Sequence, residues 1–172
     1  SVTVGVAGAV VVGFFGNSGR QAVSPPSGMS ERFDVVANGT WGISAEGADL
    51  TMSSAGATGD KSAHSGTWKA WLDGVGVTNI DTLQQVVGIP QTATTATLKF
   101  WLHVDSAELS TTTQFDRLQV QIRDSTGTTV LATLATYSNL NKGAGYSLKT
   151  FDVTSFKGHT VSVYFLGTED AS

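Results

Sequence analysis

The stretch TLKFWLHVD, residues 97–105, decides the fold because apolar and polar side chains alternate along it. Successive side chains of an extended strand point to opposite faces of a sheet. The outward set is mixed and includes Trp101 and His103. The period of two residues indicates a half-buried β-strand rather than a helix. The inward set is apolar throughout and is predicted to face the core: Leu98, Phe100, Leu102 and Val104.

The same alternation recurs on both sides of this stretch, between turns rich in Gly, Asn, Pro and Ser. No helix-length segment keeps an apolar period of about 3.6 residues, although residues 77–87 stay open between helix and strand. Many short strands separated by such turns predict an all-β fold, an antiparallel β-sandwich of the jelly-roll type. Strands are predicted at residues 7–15, 32–36, 40–44, 49–53, 67–72, 82–87, 97–104, 117–123, 129–134, 147–153 and 160–166.

Composition limits the classes of protein to which the chain can belong. Its 172 residues make about one domain, and its net charge of −4 leaves no basic stripe for nucleic acid. The absence of cysteine excludes a disulfide framework and a thiolate metal site. The longest apolar stretch, residues 2–15, is shorter than the roughly 18–20 residues of a membrane helix, so no membrane insertion is expected. It lacks the basic start of a signal peptide; if the protein is secreted, the signal is expected upstream.

A shift in composition near residues 56–66 suggests two segments. Before it the chain is poor in charge and rich in Gly, Ala and Val, whereas after it Trp, Lys and long amphipathic strands are frequent. Residues 1–60 are predicted to be a first β segment, with the closing strands of a sandwich as one assignment. Residues 61–172 are predicted to be a jelly-roll module. The two segments are either separate units or parts of one composite domain.

Several motifs carry a resemblance to known modules: AHSGTWKAWLDG at residues 63–74, FWLHVD at 100–105, YSNLNK at 137–142 and GTED at 167–170. On these motifs, residues 62–170 resemble an accessory β-sandwich module of secreted actinobacterial peptidases and glycosidases. The resemblance implies a carbohydrate-binding-like jelly roll, similar to galactose-binding and lectin domains, and an extracellular location. Residues 9–59 resemble the closing strands of another β-sandwich module of bacterial and phage surface proteins, on PSGMSERFD at 26–34 and AGATG at 55–59.

The chain departs from the accessory module at both of that module's ends. The module opens with an acidic-ended strand and closes with a strand carrying paired aspartates, and neither is recognisable here. In related sugar-binding jelly rolls those acids hold a structural calcium ion. Calcium prefers oxygen ligands, and in the absence of those acids the candidate ligands of a structural Ca²⁺ are the carboxylates of Asp73, Glu169 and Asp170. No other cofactor is expected.

Aromatic residues on outward faces suggest how such a module would bind sugar. An indole or phenol ring can stack on the apolar C–H patch of a pyranose, while planar polar side chains bond its hydroxyl groups. If their strands share one sheet, Trp71, Trp101 and Tyr164 form a platform for this purpose. The carbohydrate-binding set is completed by His103, Arg117 and Gln119, with Lys69, Lys99 and Gln121 at its border. Trp68 shares its face with Ala70 and Leu72 and is predicted to be in the core.

The sequence offers no arrangement that predicts catalysis. His103 and Asp105 project in parallel from one strand, and no G-x-S-x-G elbow supplies a nucleophilic serine. The helical His-Glu-His pattern of zinc proteases is absent. Acids that could pair as in a glycosidase are interpreted as solvated loop residues: Asp105, Glu108, Asp116, Glu169 and Asp170.

These observations predict a non-catalytic binding module of a secreted or surface protein that attaches to polysaccharide. The expected partner is a glycan, with covalently joined neighbour domains or a second copy of the chain as further partners. The alternative is a structural subunit of a virion, fibre or filament, located on the virion surface in the first case. Such a subunit would assemble through the open edges of its sheets.

Overall fold

The computed structural model describes residues 3–5, 11–16, 41–46, 51–54, 64, 68–73 and 76–170, with side chains described at residue 64 and from residue 70 onward. The strands within these residues confirm the all-β prediction, and the open stretch at 77–87 lies largely in a strand. The predicted strand at 32–36 and the side chain of Trp68 lie outside the described residues. The strands are β1 (Thr3–Gly5), β2 (Val11–Gly16), β3 (Trp41–Glu46), β4 (Thr51–Ser54), β5 (Trp68–Leu72), β6 (Asn79–Gly88), β7 (Thr95–Ser106), β8 (Arg117–Asp124), β9 (Val130–Ser138), β10 (Ser147–Asp152) and β11 (Thr160–Glu169).

Helical structure within the described ranges consists of two 3-10 turns, η1 (Asn139–Asn141) and η2 (Thr154–Phe156). A helix needs about 20 residues to cross the apolar part of a bilayer. No helix in the part of the chain that the structure describes reaches that length and apolarity.

The strands form two sheets. In the second sheet, β3, β6, β11, β8 and β9 follow one another in space, and every pair is antiparallel. The first sheet contains β1, β2, β4, β5, β7 and β10. Its β4–β5 and β7–β10 pairs are antiparallel, as predicted, whereas β2 runs parallel to both β5 and β7, and β1 runs parallel to β7.

Strands of the first segment pair with strands of the second in both sheets. β2 lies between β5 and β7, and β4 continues the first sheet beyond β5. β3 pairs with β6 in the second sheet. Residues 1–60 therefore contribute backbone hydrogen bonds to the sheets formed by the rest of the chain.

One buried cluster joins residues of both sheets. Phe100 of β7 packs edge-to-face on Phe165 of β11, with 5.0 Å between the ring centroids. Burial of an aliphatic or aromatic side chain of this size stabilises a fold by roughly 1.5–3 kcal/mol. The side chains predicted to face inward from β7 are buried in this cluster, together with the apolar side chains that alternate along β8 and β11: Leu98, Phe100, Leu102, Val104, Leu118, Val120, Ile122, Val161, Val163 and Phe165.

The last strand of the second sheet, β9, is irregular. Consecutive residues of β8 pair first with Ala135 and then with Thr133, and further along with Ala132 and then with Val130, so that β9 carries two bulges against β8. Bulges distort the row of backbone groups that a neighbouring strand would pair with. The sequence of β9, VLATLATYS, is uncharged, so the bulges rather than charged side chains hinder pairing of β9 with a strand of another molecule.

Candidate functional site

Trp71, Trp101 and His103 lie on the same outward face of the first sheet. Gly13 of β2 pairs with Trp71 on one side and with His103 on the other, and residues in register across a sheet point to the same face. Trp101 is two positions from His103 in β7 and shares that face. The two predicted indoles therefore do lie in one sheet.

Two of these three residues are not exposed as the sequence predicted. Trp71 is only 8% exposed and His103 only 4%. His103 is covered by the segment between η1 and β10: its Nε2 donates a hydrogen bond to the carbonyl oxygen of Gly143 at 2.9 Å, and the ring of Tyr146 lies 5.2 Å away. Trp71 lies on β5, an interior strand flanked by β2 and β4. The prediction that both indoles face water is wrong for Trp71.

Trp101 is half-buried, and one face of its indole is occupied. The imidazole of His64 stacks on it with 3.8 Å between centroids and 17° between the planes. The ring of Tyr146 meets His64 edge-on at 5.6 Å. A sugar could stack on this indole face only by displacing His64.

The remaining residues of the predicted carbohydrate-binding set lie in the second sheet. Tyr164 of β11 pairs with Gln121 of β8, so that Gln119 and Arg117, at two and four positions from Gln121, share the face of Tyr164. The predicted platform is thus divided between two sheets. Each group points away from the buried cluster, and the two groups do not form one surface.

On the second sheet these polar side chains are linked by hydrogen bonds. Arg123 donates from Nε to Oε1 of Gln121 at 2.7 Å, and Gln121 donates from Nε2 to Oε1 of Gln119 at 3.1 Å. A further bond joins Nη1 of Arg123 to the carbonyl oxygen of Gly127 at 3.0 Å. The guanidinium carbon of Arg123 lies 3.6 Å from the centroid of the Tyr164 ring. We call Gln119, Gln121, Arg123 and Tyr164 the polar ladder.

From the sequence, Gln121 is predicted only at the border of the site and Arg123 is not predicted to belong to it. The alternation of outward and inward residues along β8 would have identified Arg123. Residues 117, 119, 121 and 123 alternate with the buried Leu118, Val120 and Ile122, so the predicted face at Arg117 and Gln119 extends along the whole of β8.

A second group of interest is buried and acidic. Asp73, Asp81, Asp116 and Glu169 are each no more than 5% exposed. The backbone N–H of Asp73 donates to Oδ2 of Asp81 at 2.7 Å, and that of Gly76 donates to Oε1 of Glu169 at 2.6 Å. We call the four carboxyl groups the acidic cluster.

Burial and repulsion by neighbouring charges raise the pKa of two members of this cluster, Asp73 and Asp116. Desolvation, followed by the charges of Asp81, Glu169 and Asp116, raises the pKa of Asp73 from 3.8 to about 9. Desolvation also raises the pKa of Asp116 to about 6, although a hydrogen bond from the backbone N–H of Asp170, 3.1 Å from Oδ1, opposes it. Both carboxylic acids therefore favour the protonated form more than an exposed aspartate does.

The predicted calcium ligands are partly brought together. Asp73 and Glu169 belong to the acidic cluster, whereas Asp170 is half-buried and contributes its backbone N–H. Both carboxylate oxygens of Asp73 are buried without a hydrogen bond, and carboxylate oxygen is a ligand type that Ca²⁺ prefers. Among the described residues, however, no three His, Asp or Glu side chains are placed as a ready-made metal centre. The calcium site stays a prediction.

Because Gly167 has no side chain, the carboxylate of Asp73 can lie against its backbone. A Cβ atom at residue 167 would lie 2.6 Å from Oδ2 of Asp73, closer than real Cβ contacts allow. We expect Gly167→Ala to lower the free energy of unfolding by about 1–3 kcal/mol, as overpacking does. Gly145→Ala, with nothing within 4 Å of the added carbon, is the matched control and should change stability little. Urea unfolding of both variants measures the difference; equal stabilities would show that Asp73 does not pack against Gly167.

Comparison with known proteins adds no assignment: no family model, curated protein or solved structure matches the chain. The features of the chain that bear on its function are therefore the polar ladder, the acidic cluster and the aromatic residues of the first sheet. The resemblance to secreted accessory modules stays a prediction.

Proposed function

We propose that the chain is a non-catalytic binding module of a secreted or surface protein, and that it attaches to polysaccharide through the outward face of its second sheet. In this proposal the two sheets form one jelly-roll sandwich, completed by strands of residues 1–60 as a composite domain. The polar ladder is the observation that supports it. No residue is given a catalytic role.

The hydrogen bonds of the polar ladder hold planar groups in fixed positions before any ligand arrives. Arg123 is held at both Nε and Nη1, and the amide of Gln121 is oriented by bonds at its oxygen and at its nitrogen. Fixing side chains in advance lowers the entropy lost when a ligand binds. Gln121 is only 4% exposed and holds its neighbours in place. Sugar hydroxyl groups both donate and accept, so they can bond to the half-buried Gln119 and Arg123 on either side of it.

An aromatic ring and positive charge complete this face. The guanidinium of Arg123 covers one face of the Tyr164 ring, so Tyr164 supports the arginine and a pyranose would lie against the outer plane of the guanidinium. Arg117 is exposed at the far end of the same strand face. Each contact is weak, and we expect repeated units of a polysaccharide and neighbouring copies of the module to supply avidity.

Sedimentation with insoluble polysaccharides tests the proposal. We expect the intact chain to bind at least one insoluble glycan, and Gln119→Ala or Tyr164→Ala to weaken that binding about tenfold, as loss of one good polar or stacking contact does. Trp101→Ala, on the first sheet, is the matched control and should bind as the wild type does. Lack of binding to every glycan contradicts the proposal, and dependence on Trp101 alone would move the site to the first sheet.

The second candidate is a structural subunit of a virion, fibre or filament, and the position of β2 favours it. β2 is a strand from the first segment inserted in parallel between β5 and β7, which is a geometry that a strand from another chain could also adopt. The bulges of β9 argue against assembly at that edge. Light scattering separates the candidates: a tight oligomer supports the subunit, and a monomer at micromolar concentration contradicts it.

A further inference from the structure

A small pocket opens between the end strands of the two sheets, away from the polar ladder. It has a volume of about 230 Å³ and is lined by residues of β7, β9, η1, the segment after η1, and β10. Its apolar lining is provided by Leu102, Val104 and the ring of Tyr137. Asn141, Ser147 and Lys149 supply polar groups. Most binding pockets for organic molecules are larger, at ~300–1,000 Å³, so this one suits a single small ring.

The polar groups of the pocket have defined hydrogen-bonding capacity. Oδ1 of Asn141 accepts from the backbone N–H of Ser138 at 2.9 Å, which orients the amide and leaves its NH₂ group to donate. The hydroxyl of Ser147 donates to the carbonyl oxygen of Leu102 at 3.3 Å, so its lone pairs are left to accept. Burial raises the pKa of Tyr137 above its ordinary value of 10.0, which keeps that hydroxyl protonated.

The pocket also contains a positive charge. The Nζ atom of Lys149 lies 5.0 Å from the centroid of the Tyr137 ring, within the range of a cation–π contact. Lys149 is half-buried, and within the described part of the chain no carboxylate forms an ion pair with it. A half-buried ammonium group that lacks a carboxylate partner attracts an anion more strongly than a solvated surface lysine does.

An aromatic and aliphatic surface, a donor, an acceptor and a cation together define one ligand class. We propose that the pocket binds a pyranose that carries a carboxylate, as at the uronic acid end of an acidic polysaccharide. The ring's C–H face lies against Tyr137 and the aliphatic residues, its hydroxyl groups meet Asn141 and Ser147, and its carboxylate meets Lys149. The choice of a sugar rests on the proposed function, but the site is distinct from the polar ladder.

Calorimetric titration of the intact chain with three small probes tests the assignment. Glucuronate carries both the ring and the carboxylate, glucose carries the ring alone, and acetate carries the charge alone. We expect glucuronate to bind about tenfold more tightly than either glucose or acetate, because only it uses both parts of the pocket. Equal affinity for glucuronate and acetate would reduce the pocket to a simple anion site and overturn the proposal.

Two lysine variants locate the site. Lys149→Met keeps an aliphatic chain over Tyr137 but removes the charge, and should weaken glucuronate binding about tenfold, to the level of glucose. Lys157→Met removes an exposed lysine at the end of η2 and should leave binding unchanged. Thermal unfolding of both variants checks that they fold. Unchanged glucuronate affinity in Lys149→Met would overturn the proposal.

A third variant separates this inference from the proposed function. Tyr164→Ala should bind insoluble polysaccharide about tenfold more weakly than the wild type and keep its affinity for glucuronate. If glucuronate does not bind while polysaccharide still does, the pocket assignment fails and the polar ladder stands. If the wild-type chain binds glucuronate but no insoluble polysaccharide, the pocket stands and the polar ladder fails.

Discussion

Phe165→Ala is expected to lower the free energy of unfolding by about 3–5 kcal/mol, the usual result of truncating a fully buried phenylalanine. Phe165 is 0% exposed, pairs with Leu83 and Val120 on its two sides, and packs on Phe100 of the other sheet. Its removal opens a cavity where the sheets meet, and neighbours in three strands cannot all move to fill it. Since domains are stable by only about 5–15 kcal/mol, this single change removes a large part of the total.

The adjacent residue supplies a control on the same strand. Tyr164 points to the opposite face and is half-buried, so Tyr164→Ala should cost about 1 kcal/mol. Urea unfolding followed by tryptophan fluorescence measures both values under identical conditions. A similar cost for the two variants would mean that the sheets do not share the core described for Phe165.

Asp73→Asn is expected to stabilise the protein at neutral and alkaline pH in a buffer that contains EDTA. The pKa of Asp73 is about 9 in the folded state, against an ordinary value of 3.8. Between these values the folded state holds a proton that the unfolded state has lost, so the free energy of unfolding falls as pH rises. The fall is at most about 1.4 kcal/mol per pH unit. Asparagine cannot ionise, and it accepts the left-handed backbone of residue 73, whose φ is 60°.

The measurement is the melting temperature of both proteins from pH 4 to pH 9. The melting temperature of Asp73→Asn should equal that of the wild type near pH 4 and should exceed it by more with each further pH unit. Ionisation of Asp116, whose pKa is about 6, should lower the melting temperature of both proteins alike between about pH 4 and pH 6. A difference that is the same at every pH would refute the titration of Asp73.

Adding Ca²⁺ in place of EDTA tests the calcium site predicted at Asp73, Glu169 and Asp170. A cation bound only by the folded state raises stability in proportion to the logarithm of its concentration. If the prediction is correct, the wild type should gain stability with Ca²⁺ and Asp73→Asn should gain much less. Equal responses of the two proteins would remove Asp73 from any cation site.

Alternation along single strands was enough to predict the core but not the environment of outward residues. The inward set of β7 follows from TLKFWLHVD alone, because burial on that side depends only on strand parity. His103 is on the outward side, as predicted, yet it is buried because Gly143 and Tyr146, some 40 positions later, come to lie against it. No local pattern in the sequence carries information about such distant coverage.

The division of the binding set and the acidic cluster were unpredictable for a related reason. Whether Trp101 and Tyr164 share a surface depends on which strands pair, and pairing brings together residues far apart in the chain. The burial of Asp81 could have been predicted, since Asp81 lies two positions from the buried Leu83 in β6 and therefore points to the same face. Its place opposite Gly167 follows from the register of β6 with β11, and its hydrogen bond from the backbone N–H of Asp73 depends on how the ends of β5 and β6 come together.

The insertion of β2 between two strands that lie more than fifty positions further along the chain has a kinetic consequence. Pairing of β2 with β5 or with β7 closes a long loop of the chain. The chain loses conformational entropy on this closure before backbone hydrogen bonds and burial of side chains compensate for the loss. Topologies dominated by such remote pairings fold in about milliseconds to seconds, whereas helical bundles of similar stability fold in microseconds to milliseconds. Refolding of this protein should therefore be slow, with the gap between β5 and β7 among the last parts to close.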